Sequence, residues 1–481
     1  MTDAIYAAAE WLGREYGCEI PVGFYGKIRE WQQWWEGYVP DFHRYSQCTA
    51  DGRRLERRLY SLHMAKRVCE DWAGILLNDS TTVRVGDERS GLYLQGEDGT
   101  GGVFGRNRFW RMGNELVERA FALGTGAFVL RAQGVAAGPD GLIARGPGQV
   151  GVAYLAADQI IPLSEENGRI TEAAFVSSRT LRGRQSVYVE THTLDDDGCY
   201  LIRNRFFDLE EGALRERELP PDVAAGLRTG SDRPWFAVVR PNIVANVPGS
   251  RGMGVSVFAN AVDILKGVDL AYNNTNRDIY LGGRKVFYNR AMLQRTPDGA
   301  VISPDDVIQQ LFTQVGDDMS FDARTMVQEY SPSLRAAENR DSVQAQLDYL
   351  AFQCGLGTHR YQFNAAQNVV RTTTEYVGNR QELVQTAARH YILIEEAVKT
   401  LCAGILTMGR EFFGADVDPD AEIAVRFENS YVIDKDKERA QDMRDVAAGL
   451  MGREEYRVKW YGETRREAEA WTAAHPLAER E

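Results

Sequence analysis

Cysteine is scarce in this chain: six in 481 residues, at positions 18, 48, 69, 199, 354 and 402. No two form a C-x-x-C pair, so a zinc ribbon and a redox dithiol are excluded. The scatter suits reduced thiols acting as small core residues rather than a disulfide frame. Histidine is equally scarce, with six residues, no H-E-x-x-H and none at metal-ligand spacing from another; no metal site is expected. No apolar run is long enough to span a bilayer. Residues 1–20 carry Glu10, Arg14 and Glu15 and lack the character of a signal peptide, so no membrane partner is expected. The phosphate-binding G-x-x-x-x-G-K-[ST] is missing, and the glycine-rich stretch 96–105 lacks its Lys-Ser/Thr ending. Gly252-Met253-Gly254 has no third glycine, and G-x-S-x-G is missing too. Neither a cofactor nor a catalytic residue is therefore expected. A basic excess is also lacking: 56 Lys and Arg stand against 69 Asp and Glu, a net charge of −13. Tight DNA binding draws on phosphate neutralisation, so a protein that grips a duplex is excluded, though not one through which a duplex slides.

What is present is ordinary for a folded protein, with 44% hydrophobic and 26% charged residues and length enough for two to four domains or lobes. Residues 1–80 read as helical. Leu55, Leu59, Leu62, Ala65, Val68, Cys69, Trp72 and Ile75 recur at helical spacing, while Arg53, Arg54, Arg57, Arg58, Lys66 and Arg67 take the other faces. Those cations read as a solvated face paired with Glu56, Glu70 and Asp71 in preference to a phosphate-binding stripe. Strands are expected at 82–85 and 92–94, a helix at 106–123 and a strand at 127–131. From 150 to 219 the pattern is β, with strands at 160–163, 170–177, 186–194 and 200–207. The Asn167-Gly168 and Asp197-Gly198 turns argue for an antiparallel meander. Asp195-Asp196-Asp197 offers carboxylates to a divalent cation, but a solvated turn explains it more simply. An extended segment at 234–246 precedes a helix at 254–282.

A small α/β insert is expected at 283–330, with strands at 285–289 and 326–330 and a helix at 304–312. It is flanked by a second helix, 333–356, which Pro332 precedes and Ser333 caps. The loop 357–370 contains no acid and one arginine. Its side chains hydrogen-bond without charge and suit loose contact with phosphates, while Tyr361 and Phe363 suit an anchor or a stacking surface; read plainly, it joins two helices. A long helix, 371–413, carries a stripe of Val377, Val384, Ala388, Tyr391, Ile394, Val398, Leu401, Ile405 and Met408. At about 1.5 Å per residue it would span roughly 60 Å, far beyond the mean globular helix. A strand at 423–427, a helix from Asp434 to 448, a short helix at 455–461 and a last helix with a capping box at Thr464 and Glu467 complete the reading.

Several segments together resemble the portal (head–tail connector) proteins of tailed double-stranded DNA bacteriophages. His63-Met64-Ala65-Lys66 followed by Glu70-Asp71-Trp72-Ala73 is similar to the family's Asn-Met-Ala-Lys and Glu-Asp-Trp-Ala. Asp158-Gln159-Ile160-Ile161-Pro162-Leu163, the stretches 254–258 and 265–269, and Tyr456-Arg457 with Tyr461-Gly462-Glu463-Thr464 are similar to further blocks. Thr372-Thr373-Thr374-Glu375 departs from the family's Thr-Ala-Thr-Glu at its second position. The likeness spans nearly the whole chain and lies in the order of many short blocks.

The resemblance implies an α+β portal fold. Its parts would be a wing of helices and β meander (1–253), stem helices (254–282 and 333–356) around a clip (283–332), a tunnel loop (357–370), a long wing helix with a strand (371–433) and a helical crown (434–481). It implies a ring, commonly of twelve subunits, at one capsid vertex. The ring would conduct double-stranded DNA in packaging and ejection and dock the large terminase, then the head–tail adaptor, with major capsid and scaffolding proteins around it. The location implied is the virion, and the host cytoplasm during assembly. Channel residues would be Thr358, His359, Arg360, Tyr361, Gln362, Asn364, Gln367 and Asn368. Clip residues meeting a partner would be Arg284, Lys285, Asp305, Asp306, Gln309 and Gln310. The alternative is a soluble enzyme handling nucleotides or phosphate, with its site in the β-rich region 150–219.

Overall fold

The computed structural model describes the chain apart from residues 1, 49–51, 79, 98, 100, 136–145, 182, 221–222, 284, 289–296, 299–311, 315–326, 359, 363–380, 428–434, 462–464 and 476–481. Three helices come first: α1 (Thr2–Tyr16), α2 (Gly23–Glu36) and the single turn α3 (Pro40–His43). In α2, Phe24, Ile28, Trp31 and Trp34 recur every three or four residues and are buried, the stripe a surface helix turns to its core. A hairpin follows, β1 (Arg44–Cys48) against β2 (Arg54–Arg58), and only then α4 (Met64–Leu76). Leu55 and its neighbours, expected on a helix, are thus in a strand. Their spacing fits either element, and pairing with β1 decides it, which a single segment does not reveal.

β3 (Thr82–Val85) leads to α5 (Glu88–Gln95), so 92–94, expected as a strand, is helical. The reason is its cap: the Asp87 carboxylate accepts the Ser90 N–H at 2.8 Å. The Ser90 hydroxyl first, and then that contact, hold the carboxyl below its usual range. α6 (Gly102–Arg106) and α7 (Phe109–Leu123) come next.

The strands then follow in order: β4 (Gly126–Gln133), β5 (Gln149–Ala156), β6 (Ile160–Glu166), β7 (Arg169–Leu181), β8 (Arg184–Leu194), β9 (Tyr200–Glu210), β10 (Ala213–Arg217), β11 (Gly226–Arg228) and β12 (Phe236–Val239). β6 to β10 form the expected antiparallel meander, with β11 added on β9. Asn167 and Gly168 both take positive φ, 52° and 77°, as a two-residue hairpin turn requires. The Asp195 carboxylate closes its own turn by accepting the N–H groups of Asp197 (3.1 Å) and Cys199 (2.9 Å). α1 packs on the meander, with Trp11 edge-on to Phe207 at 4.8 Å. β12, β4 and β5 make a second sheet. Arg131 of β4 reaches the buried Glu190 of β8 at 2.8 Å, and His192 bonds the other carboxylate oxygen at 2.9 Å. Burial pushes the Glu190 carboxyl up, but the His192 bond and the Arg131 charge outweigh it and hold the group below its ordinary value.

Next come α8 (Val262–Leu281), β13 (Lys285–Tyr288), β14 (Phe312–Gln314), β15 (Val327–Tyr330), α9 (Ala336–Gln353), α10 (Gln381–Phe413), β16 (Ile423–Arg426), α11 (Lys435–Ala447), α12 (Arg453–Tyr461) and α13 (Arg465–Ala474). Residues 254–261, expected in the first of these helices, precede it. Their backbone is tied elsewhere: Gly254 donates to Thr125 Oγ1 and Val257 to the Phe121 carbonyl, both at 2.9 Å. α9 begins three residues after Ser333, with Arg335 at its cap. The two helices run antiparallel, since Asp278 takes Arg335 at 2.7 and 3.0 Å and Asn339 at 2.9 Å, while Gly267 lies against Gln346. At their far end β13 pairs in parallel with β14 and antiparallel with β15. The expected helix at 304–312 has residues 304–311 outside the described residues, and the caps Asp434 and Thr464 lie there too.

The described part of α10 has 33 residues, about 50 Å of helix. Its buried stripe in the first turns is Leu383, Ala387 and His390, one residue earlier than the expected Val384, Ala388 and Tyr391. A buried histidine is what displaces the apolar count. Further on, Gly404 and Gly409 let Leu130 and the Tyr93 ring approach; a Cβ at either would stand 2.7–2.9 Å from them. β16 pairs with β3, so an early strand and a late one share a sheet. In the last helices Asp442 takes Trp460 Nε1 (2.8 Å) and Lys459 (2.6 Å). No helix among the described residues is long and apolar enough to cross a membrane.

Candidate functional site

The loop expected after the second stem helix begins at a firm stop. α9 ends at Gln353 with Cys354 as its cap, and Gly355 takes φ +75°. Its N–H bonds the Phe352 carbonyl at 3.0 Å, and the Leu356 N–H bonds the Ala351 carbonyl at 2.8 Å. These are the two bonds of a Schellman ending, with Leu356 buried as its apolar contact. A Cβ at Gly355 would also stand 2.6 Å from the Thr386 methyl, so position and neighbour both require glycine.

Two adjacent residues of α4 hold the chain just beyond that stop. Trp72, fully buried, donates its indole N–H to the Cys354 carbonyl at 3.1 Å. Asp71, also buried, receives Arg360 through Nη2 (2.8 Å) and Nε (3.3 Å) and the Tyr361 hydroxyl at 2.9 Å. Arg67, one turn earlier, adds a third donor at 3.1 Å. Burial and the Asp71 charge raise the Tyr361 hydroxyl well above its ordinary pKa, so it stays a donor. Gln344 of α9 donates to the Tyr361 carbonyl at 2.9 Å. The root of the loop is therefore clamped between α4 and α9.

Among the expected channel residues, Thr358 is exposed, and Arg360, Tyr361 and Gln362 are half-buried at this root. The Arg360 and Tyr361 side chains engage Asp71. His359, Asn364, Gln367 and Asn368 lie outside the described residues. Of the expected partner-binding residues, Lys285 lies in β13; Arg284, Asp305, Asp306, Gln309 and Gln310 are outside them. Trp72 was expected only in the apolar stripe of a helix, and Asp71 only as an acidic partner on a solvated face; Asp71 does pair with Arg67 but is buried, and neither was expected to hold the loop. The available signal was a carboxylate standing among the apolar positions of α4, which requires a partner from elsewhere in the chain.

Behind Trp72 lies His390, their rings 4.7 Å apart and edge-on. Its Nδ1 accepts the Asn242 N–H at 3.0 Å, which requires an unprotonated nitrogen. Burial, with help from the Arg389 charge, lowers its pKa to about 4 from an ordinary 6.5. The unfolded chain takes up this proton first. Stability from this group is full above about pH 6.5, falls as pH drops and levels off below about 4. The loss is about 3 kcal/mol. His390→Gln keeps an acceptor without titrating, and denaturation midpoints between pH 4 and 7 should show its slope flattened by that amount.

The β-rich region carries a cleft of about 580 Å³ between the β6–β7 turn, the chain before and within β12, and α10. Its walls bear Arg169, Tyr200, Asp232, Arg240 and Glu396. Much of this polarity is spent within the protein. Tyr200 donates to the Thr171 carbonyl at 2.6 Å, Arg240 donates to the Gly252 carbonyl, and Arg169 lies 3.9 Å from Glu396. Burial pushes the Tyr200 hydroxyl up to about 12. Among the described residues no cluster of three or more His, Cys, Asp or Glu stands together to hold a metal ion.

No protein-family model and no curated protein matches the chain. Among solved structures, a chain from the neck of a native GTA particle, computed with C12 symmetry, is similar at 10% identity and a TM-score of 0.41. The match covers 82% of this chain and 88% of that one.

Proposed function

We propose that this chain is a portal protein. It forms a ring at one capsid vertex, docks the terminase during genome packaging and the head–tail connector afterwards, and conducts double-stranded DNA in both directions. The ordered blocks of resemblance motivate the reading. The observation that carries it is the antiparallel pair α8 and α9, with a small mixed sheet at one end and a clamped loop root at the other. In this reading α8 and α9 are the stem, β13–β15 belong to the clip, and 357–370 is the tunnel loop. α10 with β16 is the long wing element and α11–α13 the crown. Twelve subunits is the expected ring size. The acidic balance of −13 suits a channel that lets phosphate slide past.

The root geometry sharpens the test. Arg360 and Tyr361 fix the loop to α4, so the segment to remove begins after them. Replacing 362–368 by a short Gly-Ser linker keeps the Asp71 clamp. Rings should still form by native mass spectrometry, while packaged DNA per particle should fall by roughly tenfold or more. Normal packaging with intact rings would remove the tunnel-loop assignment; loss of rings would show the segment to be structural.

A further inference from the structure

The β1–β2 hairpin is built like an arm. Its base is fixed with unusual care. Leu59 donates to the His43 carbonyl at 2.7 Å, closing the ladder. His43, fully buried, bonds Asp269 of α8 at 3.0 Å, and the other Asp269 oxygen accepts the Leu62 N–H at 2.7 Å. One turn on, Asn273 accepts the Tyr60 N–H at 2.9 Å and donates to the Tyr60 carbonyl at 2.7 Å. The base is thus tied to α8 on both sides of the hairpin.

The blade beyond it is unsupported. All ten strand residues of β1 and β2 are exposed. Among the described residues no third strand joins the pair, and two strands alone are marginal in water. The two faces differ. Arg44, Ser46 and Cys48 share one with Arg58, Glu56 and Arg54, and there the single Glu56 carboxylate is shared between Arg44 at 3.1 Å and Arg54 at 3.6 Å. Arg58 lies over the Tyr38 ring at 4.5 Å. The opposite face presents Tyr45, Gln47, Leu55 and Arg57, with Tyr45 44% and Leu55 37% exposed. Tyrosine and arginine are enriched in protein contacts, and an exposed leucine beside them adds apolar area that a phosphate contact would not use.

We infer that this face docks on a second copy of the chain, the neighbour in the ring. Charge selects that occupant. Residues 44–58 hold five arginines against Asp51 and Glu56, whereas the chain as a whole is at −13. In sum the rest of the chain is more acidic still, so each copy offers a basic arm and a body of net negative charge. One surface meets a different surface on the next copy, the head-to-tail pattern that closes a ring. The inference rests on the ring reading, which names the second copy.

The test uses the full chain, with a benzophenone amino acid at position 45 and, separately, the double variant Tyr45→Ser, Leu55→Ser. Both sites are exposed, so the monomer fold should survive, as circular dichroism checks. Cross-linked dimers should form from position 45, and the concentration at which rings form should rise roughly tenfold or more in the double variant. Rings that form equally well in the variant, with no cross-link, overturn the arm while leaving the ring reading intact. A wild-type chain that stays monomeric at all concentrations and gives no cross-link overturns both. Unchanged assembly with loss of binding to a double-stranded oligonucleotide assigns the hairpin to DNA and overturns the proposal.

Discussion

Trp72→Ala is expected to lower the free energy of unfolding by about 3–5 kcal/mol, the range for deleting a large buried aromatic side chain. The side chain is fully buried against the rings of His390, 4.7 Å away, and Phe121, 6.1 Å away. It also leaves the Cys354 carbonyl without its indole donor. The loss should therefore be twofold in kind: a cavity where α4, α7 and α10 meet, and an unpartnered carbonyl at the end of α9. Trp72→Phe separates them, since it keeps most of the volume and removes the N–H; it should cost about 1 kcal/mol for the bond plus part of the cavity term. Urea denaturation measures both. A loss under about 1 kcal/mol for the alanine variant would mean that these elements do not depend on one another here.

Asp71→Ala should cost about 3 kcal/mol, near the lower end for breaking a buried ion pair by removing one partner. The lower end applies because Arg360 is 30% exposed and turns to water, while Arg67 is more exposed still. Tyr361 has less freedom, and its hydroxyl is left without the carboxylate. The effect should concentrate at residues 355–362, visible as faster amide exchange there than across α10. Asp71→Asn, which retains an acceptor but not the charge, should fall between. If exchange at the loop root is unchanged in the alanine variant, the clamp does not hold the loop, and packaging defects from it have another origin.

How far the sequence revealed this differs from element to element. The meander was legible because Asn167-Gly168 specifies a left-handed turn and the strands between turns alternate. The long helix was legible because its apolar period persists over many turns. The phase of its first turns was not, because His390 counts as polar until Trp72 and Phe121 are known to flank it. The β1–β2 hairpin was misread since Leu55 and Leu59 fit a helical stripe as well as a strand, and only the partner strand separates them. The helix at 88–95 was misread because its apolar residues are few and its evidence lies in the cap at Asp87. At the candidate site, the break after Leu356 was visible because the helical stripe gives way there to a stretch without acid; residues 363–370 of that stretch lie outside the described residues. Its clamp was not visible, because Asp71 and Arg360 lie 289 residues apart, and nothing local pairs them.

The pairing of an early strand with a late one in one small sheet has a consequence for synthesis. β3 is made early, yet its partner β16 comes after the long helix, and Ser90 waits for Asp418, 328 residues later. At a translation speed of about 5–20 residues per second, that interval is on the order of tens of seconds. During it, the edge of β3 and the apolar faces meant for α10 have no covering. These surfaces stay open to other chains until α10 and β16 have left the ribosome.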